Sequence, residues 1–306
     1  MTGILTGFAV ISVAIFTGYV VGRIDLLGPH GRHVLSRLSF FVLNPFLLFT
    51  VLADADLTML FSALLPVSAI AAVVVFVAYG VVTRLAWRRE LGVTVVGALG
   101  AGYVNGNNIG IPIATYVLGD ASYSAPIILV QLLVFTPVAL ALLDASSTTD
   151  ASFGKIVRRT LRNPMIIGAA LGVLVALLDI ELPPMAMDPL KLLAGAAVPV
   201  LLISFGMSLN GQRILTKRGT RRDVLLATSM KLLLMPLVAW ILGRFVFQVD
   251  DHALLAVVVL AALPSAQNVF NYAQRYETGE VVARDIVFLT TLGCPPVLFA
   301  SALLLA

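Results

Sequence analysis

Charge is scarce in this chain. Of its 306 residues only 12% are Asp, Glu, Lys or Arg, 59% are hydrophobic, and the mean hydropathy is +1.01. A soluble domain carries about a quarter of its residues as charges, so a water-soluble globule is excluded and lipid is the expected solvent. Cysteine is nearly absent. Cys294 is the one thiol, which excludes an intrachain disulfide and indicates no compartment. His30, His33 and His252 lie in or beside loops without ligand spacing, so neither a metal centre nor a cofactor is expected. No nucleophile–base constellation and no phosphate loop occurs, which argues against an enzyme.

The net charge of +4 and pI of 9.4 would suit nucleic acid. The basic residues, however, sit in short loops between apolar runs, which is a membrane pattern, and no nucleic-acid partner is expected. The opening MTGILTGFAVISVAIF lacks a basic lead and a small-residue cleavage site and reads as a retained first helix.

Apolar runs of spanning length cover about 3–22, 34–52, 61–83, 92–118 and 123–143, then 164–180, 189–209, 223–247, 252–274 and 281–305. A membrane-spanning helix needs about 20 residues. The expected fold is therefore an all-α integral membrane protein of ten transmembrane helices. Alternate connections hold Arg23, Arg32 and Arg37; Arg84, Arg88 and Arg89; Lys155, Arg158, Arg159 and Arg162; Arg213, Lys217, Arg218, Arg221 and Arg222; Arg275 and Arg284. The opposite side has Lys191 and Arg244 alone. This bias puts the basic loops in the cytosol and both termini outside the cytoplasmic membrane.

The segment 144–162 is linker-like and separates five spans from five. It divides the chain into a first repeat, 1–143, and a second, 163–306. An odd number of crossings in each makes the two repeats inverted. Pro45 and Pro199 stand 154 positions apart and Pro112 and Pro264 stand 152 apart, whereas Pro66 and Pro236 do not fit that spacing.

Two spans are interrupted. The fourth, ALGAGYVNGNNIGIPIATYVLG, carries glycines, Asn105, Asn107, Asn108 and Pro112 at mid-membrane, all of which favour non-helical backbone. Unwound backbone in lipid costs several kcal/mol, on the order of a lost hydrogen bond per group, unless it is buried in protein or lines a wet cavity. Pro112 suits the first turn of a new half-helix. The ninth, LLAVVVLAALPSAQNVFNYAQRY, has Pro264 near its middle, followed by Ser265, Gln267, Asn268 and Asn271. The last three share a face at i, i+3 and i, i+4 spacing. Each break starts a half-helix whose N–H groups and positive dipole end point inward. Two such ends with amide side chains suit a carboxylate without a fixed charge in the bilayer. The expected partners are thus a small organic anion and the lipid bilayer.

Other polar residues admit two readings. Asn44, before Pro45, is either a further wall of that pocket or a partner for carbonyls freed by the proline. Asn163 before Pro164 reads as a helix start. Lys231, about nine positions into its span, is either an ion-coupling or counter-charge group or a side chain snorkelling to the interface. Gln131, Thr290 and Thr291 either reach the cavity or join helices. Acidic residues are absent from the span centres.

LNPFLLF, NGNNIGIP, RNPMIIGAALGVLV, AVPVLLISFGMSL, KLLLMPL and ALPSAQNVFNYAQRY follow one another along the chain. In this order they resemble the auxin efflux carrier family of membrane transporters over essentially the whole length. The resemblance implies two inverted five-helix repeats, crossed helices 4 and 9 with substrate at the crossing, and alternating access by a transport domain moving against a scaffold. It also implies a homodimer. It matches Asn105 and Pro112 to the fourth-helix asparagine and crossover proline, and Pro264 to the ninth-helix crossover proline. The short 144–162 segment looks like the prokaryotic branch, and the amides 265–271 suggest a substrate more polar than auxin. The alternatives are a sodium-coupled carrier similar to the bile-acid symporter family, a channel, and a non-transporting receptor.

Overall fold

A computed structural model of the protein describes residues 2–54, 62–146, 162–210, 215 and 217–305. Most of the linker, with Lys155, Arg158 and Arg159, and also Arg213, lies outside the described residues. The elements are α1 (Thr2–Arg23), α2 (31–53), α3 (Leu64–Ala86), α4 (Leu91–Gly102), α5 (106–118), α6 (Ala121–Ser146) and α7 (Pro164–Leu177). They continue with α8 (Pro184–Ser208), α9 (Arg218–Val246), α10 (Asp251–Ala261), α11 (Gln267–Arg275) and α12 (Glu280–Leu305). Among the described residues every extended regular element is a helix. The chain is an all-α, multi-pass membrane protein.

Among the described residues five helices, α3, α6, α8, α9 and α12, are long and apolar enough to cross a membrane. The sequence reads 92–118 and 252–274 as crossings interrupted near their middle, and here each is divided. α4 has 12 residues and α10 has 11; at 1.5 Å per residue, each reaches about 17 Å of a hydrocarbon core roughly 30 Å thick. Large apolar side chains such as Val77, Leu85, Leu233 and Phe245 stay more than half exposed on the spanning helices, as lipid-facing positions do.

Prolines 45, 112, 137 and 236 share one local solution. Each follows by two residues the end of a π-helical turn: Ser39–Leu43, Gly106–Gly110, Gln131–Phe135 and Met230–Leu234. A proline lacks the N–H and crowds the carbonyl four residues back, and a widened turn relieves both. Pro112 therefore does not open a half-helix as expected. α5 already begins at Gly106 and runs through Pro112 to Gly119, whose φ of 89° ends it in the left-handed region.

The chain forms two compact units. The first comprises Met1–Ser62, Asn107–Leu129 and Arg159–Gln212. In it α1 packs on α8 and α2 on α7, both through glycine. A Cβ on Gly206 would collide with the main chain of Ile15, one on Gly18 with that of Ile203, and one on Gly168 with that of Pro45. Such close backbone approach is how helices gain packing energy when lipid removes the hydrophobic drive between them. The second unit comprises Ala63–Gly106, Val130–Arg158 and Arg213–Ala306. Two carboxylates are buried there: Asp223, bridged to Arg89 at 2.6 Å, and Asp285, bridged to Arg284 at 2.7 Å and accepting the Leu215 N–H at 2.9 Å. They stand at span edges, where the sequence reading assigned them no role.

Backbone features recur at fixed spacing. Asp25 (φ 51°) closes α1 and Asp179 (φ 49°), 154 positions later, closes α7. The Leu26 N–H bonds the Val21 carbonyl at 3.1 Å, and the Ile180 N–H bonds that of Val175 at the same distance. Arg88 (φ 52°) and Gln248 (φ 50°) stand 160 apart. Beside them Arg89 N–H to Thr83 and Val249 N–H to Gly243 are both 3.0 Å.

Gly206→Leu is expected to lower stability by about 1–3 kcal/mol or more, because its side chain must part α1 from α8. Gly195→Ala, on the same helix with nothing within 4 Å of the new Cβ, is expected to be neutral or stabilising by about 0.5–1 kcal/mol. Thermal unfolding in detergent checks both.

Candidate functional site

The two broken spans meet within the second unit. α4 stops because Tyr103 is extended (φ −88°, ψ 107°). Val104 and Ser265 then form an isolated antiparallel bridge. The Asn105 N–H donates to the Pro264 carbonyl at 2.8 Å and the Ala266 N–H to the Tyr103 carbonyl at 3.0 Å. Pro264 has no N–H to lose, so its position in the pairing leaves no orphan donor.

Side chains complete the account. Gln131, buried on α6, accepts from the Val104 N–H at 2.7 Å and donates to the Val104 carbonyl at 3.1 Å. The Ser265 N–H donates to Thr290 Oγ1 at 3.1 Å, and Ser265 Oγ donates to the Gly100 carbonyl. Ser265 is fully buried. Gln131, Ser265 and Thr290 thus hold the unwound backbone, which in lipid must find every partner inside the protein.

Lys231 reaches the same region. Its Nζ donates to the Ala261 carbonyl at 2.6 Å and lies 3.3 Å from Met235 Sδ. Ala261 is the last residue of α10, where carbonyls lack intrahelical partners and the dipole end is negative. The side chain is 0% exposed, so its amino group stays inside the protein and does not snorkel.

α11 begins at Gln267, directly after the paired Ala266, and the N–H groups of a first turn have no partner within their own helix. Gln267 and Asn268 are half-buried, and Asn271 is exposed. Beside them runs a row of hydroxyls that the sequence reading did not single out. Tyr103 OH is 2.9 Å from Thr136 Oγ1, which is 3.4 Å from Tyr272 OH. The tyrosine inside the GYVNG break was the available signal. Amide and hydroxyl groups together can bind a carboxylate without a permanent charge.

The remaining expected residues belong to the first unit. Asn107 Nδ2 donates to Asn108 Oδ1 at 3.1 Å, at the start of α5. Pro112 is buried inside α5, seven positions past Asn105. Asn44 is 2% exposed on α2; its Oδ1 and that of Asn107 are buried without a hydrogen-bond partner. Asn163 caps α7, its side chain accepting the Met165 N–H at 3.0 Å. This unit also holds a cavity of about 480 Å³ bordered by Thr50, Thr115, Ser122 and the 2.9 Å ion pair of Lys191 with Asp54. No group of three metal-ligating side chains occurs among the described residues.

Comparison with known proteins matches residues 4–300 to a family described as membrane transport protein. An "uncharacterized transporter" of Methanothermobacter thermautotrophicus is 26% identical over 288 residues, 92% of this chain and 91% of that protein. A "putative malonate transporter" of Rhizobium meliloti is 30% identical over 138 residues, 45% of this chain and 42% of that protein.

Gln131→Leu would strip Val104 of both partners at once. It is expected to cost about 2–4 kcal/mol, since each buried main-chain group left unmade costs about 1–3. Val96→Ala, remote from the pairing, serves as the packing control. Thermal unfolding shows whether Gln131→Leu costs more; an unchanged midpoint would mean that Gln131 does not hold the break.

Proposed function

Because this chain belongs to the auxin efflux carrier family of membrane transport proteins, we propose that it moves a small carboxylate across the cytoplasmic membrane by alternating access. The anion is bound beside the paired breaks of the second unit. The observation that carries this reading is the bridge of Val104 and Ser265 with the hydrogen bonds that support it. A protein that interrupts two spanning segments and then dedicates Gln131, Ser265 and Thr290 to supporting them gains a polar centre that an unbroken helix lacks. Asn105, Asn268 and Asn271 are the amide donors at that centre, Gln267 opens α11, and Tyr103, Thr136 and Tyr272 are the hydroxyls.

Ten crossings follow when α4 with α5, and α10 with α11, are each read as one interrupted crossing. The recurrences at 154 and 160 positions support inverted repeats over 1–143 and 163–306. The bias of basic loops supports extracytoplasmic termini. The name of the Rhizobium meliloti relative makes malonate the first substrate to test, and the row of neutral donors suits such a polar anion better than an indole acid.

Purified protein in proteoliposomes is expected to catalyse saturable malonate counterflow, with indole-3-acetate competing weakly. Asn268→Ala is expected to raise the KM about tenfold or more, the worth of one hydrogen bond to a charged group. Asn105→Ala is expected to impair both uptake and binding. Unsaturable flux without counterflow would make the protein a channel, and a preference for indole acids would refute the substrate class. Uptake that requires sodium would favour the bile-acid-symporter-like alternative.

A further inference from the structure

Lys231 is fully buried in a spanning helix, and among the described residues no carboxylate lies within ion-pair distance of it. An ammonium removed from water without a counter-ion costs several kcal/mol, of the order found for broken buried pairs. The Ala261 carbonyl at 2.6 Å and the negative end of α10 offset part of that cost. A neutral amine would keep the same hydrogen bond and avoid the rest. The side chain is therefore placed so that both protonation states are held in one geometry.

The neighbours leave the proton no other host. Cys294 of α12 is the titratable group that faces Lys231 from that helix. α4 carries none along Leu91–Gly102. On α3 the buried titratable group is Tyr79, whose charged neighbours are Asp223 and Arg89, themselves a bonded pair. Asp251 and His252 stand at the opposite end of α10, and Asp285 is held by Arg284. Ala261 and Pro264 are three positions apart, so at 3.8 Å per step the residue whose carbonyl Lys231 binds is at most about 11 Å along the chain from the pairing.

We propose that Lys231 is the proton-carrying group of a proton–carboxylate symport. The step is balanced and involves no redox change. The neutral amine takes one proton from the side on which the anion enters, the protein holds proton and carboxylate at the same time, and both leave on the other side. A charge about 10 Å from the anion, at an effective dielectric constant near 20, is worth about tenfold in affinity. By linkage the anion raises the affinity for the proton by the same factor. This rests on the carboxylate-carrier reading above.

The test is malonate transport by the reconstituted protein with and without an imposed pH gradient, together with proton uptake on malonate binding in weakly buffered detergent. Wild type is expected to accumulate malonate severalfold when the outside is acid and to take up at most about half a proton per malonate bound, the most a tenfold coupling allows. Lys231→Met is expected to exchange malonate with a KM raised about tenfold, to ignore the gradient and to take up no proton. Lys231→Gln repeats the measurement should the methionine variant not fold. A gradient response or proton uptake that survives in either variant overturns the assignment while leaving the carrier reading intact. Absence of malonate binding and counterflow in wild type overturns the carrier reading, and this inference with it.

Discussion

The pairing of Tyr103–Asn105 with Pro264–Ala266 is the constraint on which the second unit depends. Two chain segments that cannot be helical lie in the apolar interior of a protein whose solvent offers no hydrogen bonds. Each segment supplies what the other lacks: Asn105 N–H to the Pro264 carbonyl, Ala266 N–H to the Tyr103 carbonyl. The helices around them are arranged to close what remains, Gln131 from α6 on both groups of Val104 and Thr290 from α12 on the Ser265 N–H. Glycines complete the fit. A Cβ on Gly97 would overlap Tyr79, one on Gly102 would approach Phe76, and one on Gly100 would approach Ile286.

Carrying this arrangement has a functional consequence. An unbroken apolar helix presents methyl groups to its neighbours, whereas a broken one presents helix ends. α10 ends on Lys231 and α11 begins beside Asn268 and the Tyr103–Thr136–Tyr272 row. Donors, a dipole end and one amine are thereby gathered around the paired breaks of a membrane protein that is otherwise poor in charge. The chain belongs to a family of membrane transport proteins, and the proposed carrier function would use that concentration of polarity.

The breaks were legible in the sequence because proline, glycine and asparagine disfavour helix wherever they stand, and LPSAQN and GYVNGNN each cluster them. The partners of the breaks were not. Gln131 is 27 positions from Val104, Lys231 is 30 from Ala261, and Thr136 is 136 from Tyr272; no periodicity links such pairs, and only tertiary packing brings them together. Pro112 marks the limit of local reasoning. The residue type that can open a half-helix is here absorbed by a π turn, as at Pro45, Pro137 and Pro236. A single sequence cannot tell these outcomes apart from spacing alone. Pro112 and Pro264 are 152 apart, whereas the left-handed residues Arg88 and Gln248 are 160 apart.

The central claim is that the paired breaks bind the carried anion, and hydrogen–deuterium exchange tests it without relying on transport or on any substitution. Exchange of the detergent-solubilised protein is measured by peptide with and without saturating malonate. The account predicts slower exchange on ligand addition in the peptides that contain 103–105 and 264–271, with little change along α1 and α8. Slowing confined to other segments, or none in these two while malonate demonstrably binds, would contradict it.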